Sequence, residues 1–421
     1  MKRKWNIIFF YCITTSVWAN TNHILTTEEL LRLAAKNSQS ISQAQLEVLV
    51  KQKEIDVAKA RYFPILRAEA IDSAGFPGSS NWLGIEGLVG SPYRSGPTAG
   101  VVTKQLIYDF GRTAAAVKAA RSEVDVAKQS TRVTAYEVQL FALQAYYQCA
   151  TYKKKQEIWI NLAKESALIT KEAKHFVKTG QRSVVDNYLS ESETQEARTE
   201  HAFLREQMLG SLKELAIITG IDASTIACPV LSDKLIDSLN SQSRVFASPY
   251  VKRAIADAKA AQEKLKKEKA TFRPEIVAIA SGGGMDKTHL VRKDNYAVGV
   301  GVSMPLLDFN ITSRISQAQA ELLAKQQAIA AQKQYIEEMN AKLDLTIRAT
   351  ITRIKHLNIE LNIAQDGFKV AKQRYFNLEG DLVDLREAWR NLARAQIIIE
   401  DARNDLLQAK GAKALLNGWG Y

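Results

Sequence analysis

Cysteine is nearly absent from this chain: there are three in 421 residues. Their spacing gives no metal-binding pattern. Proline is scarce too, at eight residues, against 46% hydrophobic and 24% charged. That balance excludes a disordered or collagen-like chain. No apolar run reaches about 18 residues, so no helix of the chain spans a bilayer, and any membrane insertion has to be made by β-strands. Catalytic sets are missing as well. His23, His175, His201, His289 and His356 are scattered, with no spacing that puts metal ligands on one face. There is no G-x-S-x-G and no Walker sequence. Ser281-Gly282-Gly283-Gly284 resembles a phosphate loop but lacks the following Gly-Lys-Ser/Thr, and a β-turn is the better reading. These absences leave no enzyme, cofactor or metal to expect.

What is present begins with a secretory signal. Lys2, Arg3 and Lys4 precede a short, mostly apolar run from Trp5 to Val17, and Val17-Trp18-Ala19 offers cleavage after Ala19, giving a signal over 1–19. Cys12 does not suit lipid anchoring, because Phe9, Phe10 and Tyr11 precede it where small residues are needed. Cleavage leaves Cys149 and Cys228. An exported protein can oxidise them, though nothing in the spacing argues for it. The formal charge of +12 falls to +9 without Lys2, Arg3 and Lys4. Such an excess raises the question of nucleic acid. No helix-turn-helix, RNP-like strand or zinc-finger spacing accompanies it. The charges are mixed in sign, as in Glu263, Lys264, Lys266, Lys267, Glu268 and Lys269. A solvated helix face with no nucleic-acid partner is the reading.

The chain is an internal duplication. Arg61-Tyr62-Phe63-Pro64, a Gly-rich stretch and Leu106-Ile107-Tyr108-Asp109-Phe110-Gly111 are answered by Thr271-Phe272-Arg273-Pro274, a second Gly-rich stretch and Pro305-Leu306-Leu307-Asp308-Phe309-Asn310. Asp109 and Asp308 are 199 residues apart, and Asp186 and Asp384, in two similar segments, are 198 apart. The first repeat covers 20–247: strands over about 64–109, a helical hairpin over about 110–219 and a connector over 220–247. The second covers 248–421, with strands over about 274–305 and a hairpin over about 309–416.

Each half reads as helix, two strands, very long helix, helix. Val117, Val124, Thr131, Val138, Ala145, Tyr152 and Trp159 recur every seven residues. Ile315, Leu322, Ile329, Ile336, Leu343, Thr350, Leu357, Ala364 and Ala371 do the same in the second half. This is a coiled-coil seam. No proline interrupts either helix, and about 65 residues would extend roughly 100 Å. Turns are expected near Thr179-Gly180 and Glu379-Gly380. Glycine there suits a left-handed helix end, and Ser183 or Asp381 suits the next N-cap.

Between these helices, Gly75, Gly78, Gly84, Gly87, Gly90, Gly96 and Gly100 with Pro77, Pro92 and Pro97 demand strands and loops. Tyr296, Val298, Val300, Val302 and Met304 alternate with Ala297, Gly299, Gly301 and Ser303. Arg67 and Glu69 alternate with Leu66, Ala68 and Ala70, giving a polar face. The alternation alone also suits a sandwich strand on a soluble core. Counting favours a barrel: four strands cannot close, an open edge is not tolerated in lipid, and three chains supply twelve.

The ordered duplicate resembles the TolC-type outer membrane efflux and secretion factors. The matching residues are the two strand-to-helix junctions above, the tips Thr179-Gly180-Gln181-Arg182-Ser183-Val184-Val185-Asp186 and Asp384-Leu385-Arg386-Glu387-Ala388, and the repeat ends Leu215–Gly220 and Ala414–Gly418. The resemblance implies a mainly α fold with a β-barrel section, closed in a homotrimer as a twelve-stranded barrel and a helical tunnel. It implies an outer-membrane location reaching into the periplasm, with outer-membrane lipid, a periplasmic adaptor and an inner-membrane transporter or ATPase as partners. The chain would be a passive gated duct for a tripartite efflux pump or a type I secretion system.

Asp384 and Glu387 match the family's acidic aperture positions. Three residues apart, they share a helix face, and three copies would make a ring of six carboxylates that attracts cations. From the residues alone they are equally a solvated first turn favoured by the helix dipole. The chain departs from the family pattern at Leu378, where glycine is usual, and at Gly380, where arginine is frequent. The closing ion pair is therefore not carried over, and Arg182, near Asp186, is the candidate replacement. Lys178, Thr179, Gly180, Gln181, Ser183, Leu378, Glu379 and Gly380 are the expected adaptor contacts; simple turn chemistry explains them equally. The alternative function is a periplasmic coiled-coil adaptor or scaffold without a pore.

Overall fold

Two negatively charged side chains mark where the long helices start. Asp109 Oδ1 accepts from the Gly111 amide at 3.1 Å, and its Oδ2 accepts from the Thr113 amide at 2.6 Å. Asp308 Oδ1 likewise accepts from the amides of Asn310 and Ile311 at 2.8 and 3.3 Å. Orphan N–H groups at a helix start need such partners, which explains why the aspartate recurs in both repeats.

The structure is a computed structural model that describes residues 24–73, 96–229, 245–285 and 294–418. The expected signal, Cys12, His23, His289 and most of the first Gly-rich stretch lie outside these residues. The element order is α1 (Thr27–Asn37), α2 (Gln39–Lys59), β1 (Ile65–Ser73), β2 (Gly96–Tyr108), α3 (Arg112–Lys178), α4 (Val184–Thr219), α5 (Pro249–Ala270), β3 (Glu275–Met285), β4 (Asp294–Ser303), α6 (Phe309–Phe376) and α7 (Leu382–Leu416). Helices α3 and α6 have 67 and 68 residues. None of the heptad residues named above is exposed, as a seam requires. Among the described residues, no helix is long and apolar enough to cross a membrane.

The chain divides into two compact units, and each takes segments from both repeats. One, the hairpin unit, comprises the described residues within 1–37, 142–235 and 350–408. Its core gathers Leu162, Ile169 and Ala173 of α3, Ala197 of α4, Phe368 and Tyr375 of α6, and Leu385 and Trp389 of α7. The rings of Trp159 and Trp389 meet edge to face at 6.0 Å. Helix α4 ends at Gly220 (φ 71°), whose amide donates to Ala216 O. The Asn37 side chain donates to the Thr219 carbonyl beside it. Cys149 and Cys228 are both buried and are joined in a disulfide, with Cα atoms 5.4 Å apart. Their spacing did not announce this pairing; the packing of the connector on α3 creates it.

The other, the sheet unit, comprises the described residues within 38–141, 236–349 and 409–421. Its strands form one antiparallel sheet in the order β1-β2-β3-β4. The β2–β3 pairing, with Val102 opposite Ser281 and Lys104 opposite Ile279, joins the two repeats. A register shift between Leu106 and Tyr108 marks a bulge at the end of β2. Ser281–Gly284 lies inside β3, not in the expected turn. Glycine there removes side chains from one stretch of the sheet without ending the pairing.

Candidate functional site

The two helical turns of the hairpin unit come together. In the first, Gly180 occupies the left-handed region at φ 71°. The amide of Gln181 donates to Phe176 O at 2.8 Å. Ser183 caps α4 by accepting from the Val185 amide at 3.3 Å. In the second turn the expectation for Gly380 fails: Leu378 takes the left-handed position, at φ 62°. That geometry costs a residue with a Cβ roughly 1–2 kcal/mol. Gly380 serves by close approach instead, since a Cβ there would lie 3.1 Å from Arg374 Cβ. Asp381 directly precedes α7, and its carbonyl accepts from the Leu385 amide at 3.3 Å.

Arg182 does not pair with Asp186. It donates to the Gly380 carbonyl, and its Nη1 lies 3.5 Å from Asp381 Oδ1. Its guanidinium carbon sits 5.2 Å from the Tyr375 ring centre. The Tyr375 hydroxyl in turn donates to Asp186 Oδ2 at 3.4 Å. Arg182 and Asp186 therefore both grip the second hairpin, one through its turn and one through Tyr375. Burial raises the Tyr375 hydroxyl above the ordinary tyrosine range, and the Asp186 charge adds to this. The phenol thus remains a donor at all ordinary pH.

A larger ionic cluster lies further along the same helices. Glu193 of α4 is buried and accepts from Arg386 Nε of α7 at 2.8 Å, with Arg390 Nε at 3.5 Å. Arg390 also reaches Glu196 at 2.8 Å. Burial pushes the Glu193 carboxyl up to about 7, against the pull of Arg386 and Arg390. Sequence reasoning passed over this cluster. Its signal was the facing pattern of acids at 193 and 196 and arginines at 386 and 390, one helical turn apart in each case.

Asp384 and Glu387 are both exposed, while Leu382, Leu385 and Trp389 of the same helix are buried. The two carboxylates thus lie off the core-facing stripe of α7. Lys178, Thr179, Gly180, Gln181, Ser183, Leu378 and Glu379 are exposed as well, and Gly380 is half-buried.

The sheet has two unlike faces. Register and alternation put Leu66, Val101, Ile276, Tyr296, Val298, Val300 and Val302 on one face. The four β4 side chains among them are 65–86% exposed. The other face carries Arg67, Glu69, Lys104 and Glu275 beside Val102, Val277 and Ile279, around a cavity of about 300 Å³. Glu275 gathers Arg61 at 2.9 Å, Arg112 at 3.6 Å and Lys104 at 3.9 Å.

Comparison with known proteins agrees with this architecture. A family model described as outer membrane efflux protein matches residues 30–221 and 246–417. A search of curated proteins found no match. Among solved structures, the chain is similar to the outer membrane protein VceC of Vibrio cholerae, with TM-score 0.74 and 17% identity over 93% of this chain and 96% of that one. It is similar to the CmeC outer membrane channel of Campylobacter jejuni, with TM-score 0.72 and 13% identity over 99% and 94%. It also resembles the open state of the MtrE outer membrane channel of Neisseria gonorrhoeae, with TM-score 0.71 and 16% identity over 93% and 89%. At such identities the likeness is one of fold.

Proposed function

The chain belongs to the outer membrane efflux protein family, and from that membership we propose that three copies form the gated exit duct of a tripartite efflux pump. Membership itself makes the chain an efflux protein of the outer membrane and not an enzyme. The duct, its trimeric state and its partners are the proposal.

The observation that carries it is the sheet. Its apolar face is exposed, its opposite face is charged, and β1 and β4 stand at its edges among the described residues. In lipid an open edge leaves backbone groups without partners, so the edges have to meet those of other copies. Three sheets of four strands close as twelve, with the Tyr296–Val302 face toward lipid and the Lys104–Glu275 face toward the pore. The helices below then supply the periplasmic passage.

At the periplasmic aperture that family membership implies, Asp384 and Glu387 from three copies line the opening. Arg182 and Tyr375 hold the two turns of each chain together and set the closed state. The turn residues Lys178–Gln181, Ser183 and Leu378–Gly380, all exposed but the half-buried Gly380, present themselves to a periplasmic adaptor, and an inner-membrane transporter supplies the energy. A type I secretion system with its ATPase is the alternative partner; the family's efflux description favours the pump.

Fractionation and planar-bilayer recording test this together. The protein should require detergent for extraction from outer membranes and should conduct. Neutralising the aperture with Asp384→Asn and Glu387→Gln should reduce its cation preference. Water-soluble protein without conductance would refute the duct, and unchanged selectivity would remove the acidic aperture.

A further inference from the structure

Immediately below the sheet, α3 and α5 border an open groove of about 670 Å³. Its floor is small: Gly111, Ala114, Ala115 and Ser122. Its walls are basic. Lys118 and Arg121 project from α3, Lys259 and Lys266 from α5, and Arg273 from the segment that enters β3. Only Asp125 and Glu263 oppose them. Both acids are already engaged, Glu263 by Lys266 at 2.7 Å and Asp125 by Lys259 at 3.9 Å. Lys118 and Arg121 are exposed, and among the described residues no ion pair neutralises either. Arg273 is held at the top of the groove by donating to the Phe110 carbonyl at 2.8 Å. A side chain at Gly111 would meet Arg273 Nη1 at 3.0 Å, so glycine there keeps that cation in place.

The groove's level in the molecule is as informative as its charge. Tyr108, Phe110, Leu306, Leu307 and Phe309 are all exposed where the strands pass into the helices. Aromatic and large apolar side chains at a strand end mark the edge of the hydrocarbon layer. Gly111, residues 112–121 of α3 and residues 266–273 therefore start at headgroup depth. A surplus of cations at that depth, over a floor too small to fill the space, suits a phosphate ester better than it suits any apolar ligand.

We propose that this groove binds the phosphate headgroup of an anionic phospholipid of the periplasmic leaflet. The assignment rests on the sheet lying in the membrane, but not on the duct being gated or on any particular pump. Its role is to fix the height of the chain in the bilayer by an ionic contact just below the aromatic belt.

The test is native mass spectrometry of the detergent-solubilised full chain, titrated with phosphatidylglycerol or with phosphatidylcholine and compared with the Lys118→Gln/Arg121→Gln double variant. Lys342→Gln, an exposed lysine of α6 away from the groove, is the control. Phosphatidylglycerol should be retained in preference to phosphatidylcholine. The double variant should weaken that retention roughly 25-fold, about fivefold for each lost cation near a lipid surface, and the control should not change it. Equal retention of the two lipids, or undiminished retention by the double variant, would overturn the proposal. Displacement by inorganic phosphate as effectively as by lipid would also overturn it, by showing a free-anion site. Conductance recorded in parallel separates the two readings: a conducting parent with no lipid preference loses only this inference, whereas selective lipid retention without conductance loses only the duct.

Discussion

Opening the Cys149–Cys228 disulfide separates two scales of stability. The bond closes a loop with a sequence separation of 79 residues. For a loop of that length, chain entropy in the unfolded state gives about 4.5 kcal/mol. That figure is a ceiling, because measured values cluster at about 2–4 kcal/mol. Most of the closed loop is the α3–α4 hairpin, which packs through Thr170 against Ser190 and Thr194 and does not depend on the bond. What the disulfide alone secures is the short stretch after Gly220, where Ile226 and Cys228 are buried. Reduction of the intact parent changes only the cross-link, and Cys149→Ala/Cys228→Ala serves as a second route to the same state. Hydrogen exchange should rise first in residues 221–229, while the α3 and α4 amides near Thr170 stay protected. Thermal unfolding should shift downward by an amount corresponding to about 2–4 kcal/mol. Unchanged exchange in 221–229 after full reduction would refute the reasoning, as would loss of protection throughout the hairpin at the same rate.

Other perturbations test the turns and the ionic cluster. Gly180→Ala should cost about 1 kcal/mol through backbone strain alone, since nothing lies within 4 Å of the added Cβ. Leu378→Gly should be neutral or stabilising by about 1 kcal/mol, because it relieves the left-handed backbone; paired denaturant melts read both, and a marked loss for Leu378→Gly would contradict the assignment. Glu193 has its folded pKa raised from 4.5 to about 7 by burial, so the folded state binds its proton more tightly than the unfolded chain does. Its contribution is fully present below about pH 4.5 and is lost as pH rises toward 7. Glu193→Gln should flatten melting temperature across that window, and parallel profiles would show the carboxyl to be ordinary. Arg182→Ala with Tyr375→Phe removes both grips on the second turn, and single-channel recording should show a larger open fraction; an unchanged one would detach these contacts from gating.

Much of this architecture was legible because it is written in periods. The seven-residue recurrence from Val117 to Trp159 and from Ile315 to Ala371 located both long helices, and the duplicated Asp109 and Asp308 marked the junctions where strands pass into them; that both aspartates cap the helices came only from the structure. The alternation at Tyr296–Val302 gave the strand and its apolar face. What escaped was set by distant segments meeting. Cys149 and Cys228 pair only once the connector lies on α3. Arg182 engages the Gly380 carbonyl and Asp381 of the second turn, not its sequence neighbour Asp186. Glu193 is buried only because α7 covers it. Leu378 shows the opposite failure: local preference favours Gly380 for the left-handed position, yet the close approach of Arg374 claims that glycine for space and leaves the strained backbone to leucine. Ser281–Gly284 shows that glycine density alone does not end a strand when the partner β2 continues its hydrogen bonds.

The account stands on strands completed by identical neighbours, and the mass of the detergent-extracted assembly addresses that most directly. Native mass spectrometry should give three times the mass of the mature chain, stable until the detergent is stripped. A folded single chain, or a pair, would leave the sheet without a way to close and would contradict the account.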